Sequence, residues 1–216
     1  MTTKSDIYEQ IVQNYMSPTE SDTAEAIIND AFHKAADSLQ KLIKHPVKPG
    51  QASMISLEKL LPNIHKDISK TYYIESEIRG KITGKSFFSI PCAEADMYYS
   101  YFSADKICMD DTFKKAIMLE TANIVTASAI AHFANVFKIA CYAHVPSLEI
   151  NNTEYLHRKI IYDMNYNNII FIYKNNFEIQ QAPISPSFIF TFDIKFIDLV
   201  IQNHEKIINY TLNQQP

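Results

Sequence analysis

The chain has 216 residues, of which 47% are hydrophobic and 20% charged, with a net charge of -4. That composition supports one sizeable packed domain and excludes wholesale disorder, and the acidic balance removes the electrostatic basis for nucleic-acid binding. Three scattered cysteines (Cys92, Cys108, Cys141), three glycines and seven histidines without ligand spacing exclude a disulfide scaffold, a metal motif and a phosphate-cradling loop.

Residues 1–18 are polar, end in Met16-Ser17-Pro18 and read as an N-terminal arm or short helix; 19–216 read as a single domain. Asp22 and Glu25 stand at capping-box spacing. Apolar residues then recur at Ala24, Ile27, Ile28, Ala31, Ala35, Leu39, Leu42 and Ile43 with helical period, up to His45-Pro46. Tyr72, Ile74, Ser76 and Ile78 alternate with Tyr73, Glu75, Glu77 and Arg79, the pattern of a half-buried strand. Gly80 and Gly84 lead into Phe87-Phe88-Ser89-Ile90, a hairpin partner, and Pro91 can open a short helix at its first position.

A second long helix is expected from about Asp110 to Lys138, with Met118, Leu119, Ala122, Val125, Ala129, Phe133, Val136 and Phe137 as its core stripe. Strands follow at 139–150, 168–173 and 184–192, with the asparagines of 165–176 read as flanking turns, and an amphipathic helix closes the chain over 193–209. The order helix, strands, short helix therefore occurs twice. Setting Asn29 on Asn123 also aligns Ala35 with Ala129, Leu39 with Phe133, Leu42 with Val136 and Ile43 with Phe137. The reading is an α+β fold built from a duplicated helix-plus-three-strand unit, with halves of about 19–108 and 109–216. It predicts one continuous sheet carrying both long helices on one face.

On the second helix, Glu120 and Asn123 lie three residues apart on the side opposite the core stripe, among Ala127, Ala131 and Ala134. A carboxylate and an amide on a face carpeted with alanine let another backbone come close. The spacing alone is cheap, since Glu149 and Asn152 repeat it in an expected loop. His132 lies elsewhere on the polar side and reads as a solvated or interface histidine, while Cys92 and Cys141 read as small core residues.

Glu120-Thr121-Ala122-Asn123, followed after twenty-two residues by Pro146, resembles the signature of the CheC and CheX chemotaxis phosphatases. Residues 78–84 with Phe87-Phe88 resemble that family's glycine-marked strand pair, and Asn29 with Ala35, Ala36 and Leu39 resembles its first motif helix. The resemblance covers about residues 20–200. It implies a six-stranded antiparallel sheet and two long helices bearing pseudo-symmetric sites. It implies hydrolysis of the aspartyl phosphate on a CheY-like response regulator, with Glu120 and Asn123 as catalytic pair and Pro146 as motif support. Magnesium would sit on the partner receiver domain, so the chain needs no cofactor or metal of its own. A cytoplasmic location and a homodimer fit this picture, with no membrane partner.

Three positions depart from the family pattern. Ala26 stands where the first site needs a glutamate, and His33 stands where the second half has Ala127, so the site around Asn29 is degenerate. Ala116 replaces the usual Ser or Asp four residues before Glu120. These departures leave a non-catalytic receiver-binding or scaffold protein of the flagellar switch type as the alternative.

Overall fold

The computed structural model describes residues 15–54, 69–102, 109–166, 169–180 and 182–212. Helix α1 (Pro18–Ile43) is followed by two short strands, β1 (Val47–Pro49) and β2 (Ser53–Met54), then by the hairpin β3 (Thr71–Gly80) and β4 (Gly84–Pro91), and helix α2 (Cys92–Tyr99). The second half runs α3 (Asp111–Phe137), β5 (Cys141–Ala143), β6 (Ser147–Asn151), α4 (Thr153–Tyr166), β7 (Ile169–Ile179), β8 (Ser187–Asp193) and α5 (Ile194–Leu212).

The described strands form one sheet, with order β1-β7-β8-β4-β3-β5; β2 also pairs with β7, and β6 with β3. Every pairing is antiparallel. Eight strands thus fill six positions, because each outermost position is split in two. The expected single strand over 139–150 is one such split, broken at residues 144–146.

The duplication can be read residue by residue. Adding 94 to Val47–Pro49 gives Cys141–Ala143, and adding it to Ser53 gives Ser147, the start of β6. Each outer pair docks on the other half's hairpin in matching register: Val47 faces Ile179 and Ser53 faces Lys174, while Cys141 faces Gly80 and Ser147 faces Glu75. Both long helices end on a lysine in the left-handed region, Lys44 (φ 58°) and Lys138 (φ 55°), each N–H returning to the carbonyl four residues back. The centre of the sheet joins the two hairpins through β4 and β8, where Phe87 faces Ile189. There a Cβ at Gly84 would collide with the Thr191 carbonyl, so only glycine lets the strands close.

Strand alternation sends two sets of side chains to opposite faces. Phe188, Phe190 and Phe192 point to the face covered by α1, α3 and α5, where Phe32 and Phe133 meet them edge-on. Phe87, Tyr73, Ile172 and Ile189 point the other way, onto Leu156 and Ile160 of α4. An ionic network pins α4 there: Lys85 Nζ lies 2.8 Å from Glu75 and 2.9 Å from Asp163, and Lys159 also pairs with Glu75. Burial pulls the Lys85 ammonium pKa down, but its bonds to Glu75 and Asp163 outweigh that and leave it raised.

Four sequence expectations are corrected. The N-cap of α1 is Ser17, boxed with Glu20, not the Asp22 and Glu25 pair; Pro18 at the first helical position carries the helix a turn further back. Pro91 ends β4 and precedes α2 rather than opening it. Asn175 and Asn176 lie inside β7, where the Asn175 side chain is buried and bonds both the N–H (3.0 Å) and the carbonyl (2.6 Å) of Gly50. Helix α4 was not expected at all. Of the expected arm, Pro18 belongs to α1 and residues 1–14 lie outside the described residues, as does Cys108.

Candidate functional site

Helix α3 presents the site, and its buried side fixes how it is turned. Asp110 caps its start, accepting from the Phe113 N–H at 2.7 Å. Of the expected stripe Met118, Ala122, Val125, Ala129, Phe133 and Phe137 are buried, while Leu119 and Val136 at its margin are half-buried; Ile117 and Ile130, outside that stripe, are buried as well. Two buried hydroxyl pairs set the roll of the helix. Tyr98 Oη lies 2.8 Å from Thr121 Oγ1, and Ser86 Oγ lies 3.0 Å from Thr126 Oγ1. Helix α3 is long and apolar enough to cross a membrane, but half of its most apolar stretch is buried in the fold, as in the core helix of a packed domain.

On the opposite side Glu120 and Asn123 are both exposed, one turn apart, as are Ala116, Ala127 and Ala131. Among the described residues neither Glu120 nor Asn123 has a side-chain hydrogen bond or ion pair. The face is therefore low in relief, with one free carboxylate and one free amide. Pro146 is half-buried at the end of the break between β5 and β6. The preceding strand β5 is held beside α3, where the Cys141 thiol donates to the Ile130 carbonyl at 3.6 Å.

Asn29 is placed differently. It is half-buried on α1, its Nδ2 donates to the Glu25 carbonyl at 2.9 Å, and its Oδ1 accepts from the Ala52 N–H at 2.8 Å. Ala26 is exposed at the position matching Glu120. The neighbouring Glu25 is half-buried, and burial, with the nearby Asp22, raises its carboxyl pKa. His33 is exposed and its Nδ1 lies 2.9 Å from the Asn29 carbonyl. The first site has neither the carboxylate nor a free amide.

The remaining candidates have structural settings. His132 is half-buried beside α1, and burial holds its pKa below the ordinary histidine value, with Asp30 opposing and Lys34 reinforcing that shift. It packs rather than standing solvated. Cys92 and Cys141 are half-buried, and burial raises both thiol pKa values, which removes thiolate reactivity near neutral pH. Glu149 is exposed on β6 and Asn152 bonds the Tyr155 N–H at the start of α4, so that second Glu-x-x-Asn pair serves a helix start. Among the described residues no three of His, Cys, Asp or Glu converge as metal ligands.

No family model and no curated protein matches the chain. Solved structures do. FliY from Thermotoga maritima superposes with a TM-score of 0.58 at 15% identity, over 93% of this chain and 99% of that one. The chemotaxis protein CheX from Desulfovibrio desulfuricans gives 0.55 at 12% identity, over 78% and 99%. A CheC-like superfamily protein from a Shewanella species gives 0.50 at 12%, over 77% and 97%. The chain has the CheC/CheX-like fold.

Proposed function

We propose that this chain acts in chemotaxis-type signalling as a phosphatase of a CheY-like response regulator, working in the cytoplasm through the single site Glu120–Asn123. The observation that carries the reading is the free carboxamide of Asn123, one turn from the free carboxylate of Glu120, on an alanine-lined helix face of a CheC/CheX-like fold.

An acyl phosphate is already activated, so the accelerating protein has little covalent chemistry to supply. It must hold a water in line with the P–O bond to be broken. The Asn123 carbonyl oxygen accepts a hydrogen from that water while its NH2 donates to nearby oxygens. Water attacks phosphorus, the bond to the aspartyl oxygen breaks, inorganic phosphate leaves and the receiver carboxylate is regenerated. The division of labour resembles that of the water-positioning glutamine in small GTPases. Glu120 pairs with the receiver's lysine and sets the register of docking. Magnesium belongs to the receiver in this scheme, and Asn29 takes no part.

The test is the decay of phosphate on a phosphorylated CheY-like receiver with and without the chain. Faster decay supports the phosphatase. Complex formation with unchanged decay would replace it with the docking or scaffold role. Sedimentation of the same samples reads whether the chain works as a homodimer.

A further inference from the structure

The offset of 94 that aligns the strands and the helix ends also aligns Asn29 with Asn123 and Ala52 with Pro146. Residues 52 and 146 each stand just before the second strand of their pair, Ser53 and Ser147. In the first half the Ala52 N–H reaches across to Asn29 and occupies its Oδ1 at 2.8 Å. In the second half the equivalent residue is a proline, which has no N–H to give. Asn123 is exposed, and among the described residues nothing bonds its carboxamide.

Resting on the reading of Asn123 as the working amide, we infer that Pro146 is a positioning residue that acts by omission: it deletes the backbone donor that would otherwise capture Asn123. In the first half the fold brings the residue before the second outer strand to the asparagine of the long helix. A water-positioning amide needs its carbonyl oxygen uncommitted. Proline at 146 removes the competing donor, and this gives a residue twenty-three positions beyond the asparagine its part in the site. The two halves thus hold the two states of one device. Asn29 is captured and structural; Asn123 is released and available.

Restoring the donor tests this. Pro146→Ala returns the N–H, and capture of Asn123 should lower kcat for receiver dephosphorylation roughly five- to tenfold, the population ratio a net backbone hydrogen bond supports. The half-saturating receiver concentration should stay the same, because Glu120 is untouched. The side-chain amide resonances of Asn123 should shift in the free protein, a readout that involves no catalysis. Replacing Pro146 by lactic acid, the ester analogue of alanine, removes both ring and N–H and should restore kcat and the resonances. Wild-type kcat and unshifted Asn123 resonances in Pro146→Ala would overturn the inference. So would an ester variant as slow as the alanine variant, because the ring would then be what matters. Failure of the phosphatase reading shows separately, as Asn123→Ala with full activity.

Discussion

Tyr98 Oη and Thr121 Oγ1 meet at 2.8 Å in a fully buried setting, and Thr121 passes its own hydrogen on to the Ile117 carbonyl at 2.8 Å. Tyrosine is therefore the donor and threonine the acceptor. Thr121 lies between Glu120 and Asn123 in sequence but faces the core, so this pair fixes which side of α3 is turned outward.

The relation makes two substitutions unequal. Tyr98→Phe leaves Thr121 still bonded to its backbone partner and should cost about 1 kcal/mol. Thr121→Val strands a buried phenol and should cost about 1–3 kcal/mol. Urea unfolding of both variants measures this, and equal losses would contradict the assigned donor direction.

Asn29→Ala and Asn123→Ala should have opposite effects, although the two residues are pseudo-equivalent. Removing Asn29 leaves the buried Ala52 N–H without its acceptor and should destabilise by about 1–3 kcal/mol while leaving dephosphorylation intact. Removing Asn123 from an exposed helix face should leave stability unchanged or raise it by a few tenths of a kcal/mol. Paired unfolding curves and decay rates separate these outcomes.

Glu120→Lys should raise the half-saturating receiver concentration through like-charge repulsion, and the defect should shrink as salt rises. Titrating the receiver at two ionic strengths checks it. A fall in kcat at unchanged half-saturation would instead place Glu120 in the chemistry.

His132 gives a pH prediction. Burial favours its neutral form in the folded protein, holding its pKa below 6.5; Asp30 pulls the pKa up and Lys34 pushes it down. As pH falls through 6.5 the unfolded chain takes up a proton that the folded chain resists. The contribution to stability is therefore full above that pH and declines below it, until the folded pKa is passed. Melting temperature should drop on acidification from pH 7 to 5, and His132→Gln should flatten that drop.

Much of this architecture was legible because the core stripes of α1 and α3 are long and periodic, and their spacing of 94 carried the duplication. Helix α4 was not, since among the described residues only Leu156 and Ile160 are its buried apolar ones, and the rest of its hold on the sheet is the Tyr155 ring against Tyr73 and the ion pairs of Asp163 and Lys159. Asn175 and Asn176 looked like turn residues by propensity, and their long-range bonds to Gly50, 125 residues from Asn175 in the sequence, overrode it. Glu120 and Asn123 were visible because an exposed pair on a helix wheel needs only local spacing. The capture of Asn29 was invisible, because its partner is a backbone N–H twenty-three residues away whose approach depends on the folded loop.

Whether the Asn123 amide positions the hydrolytic water is read from phosphate loss by a phosphorylated CheY-like receiver in the presence of Asn123→Ala. Decay should run at the receiver's own unassisted rate, with the variant folded and still bound to the receiver. Decay as fast as with the unaltered chain would remove Asn123 from the chemistry.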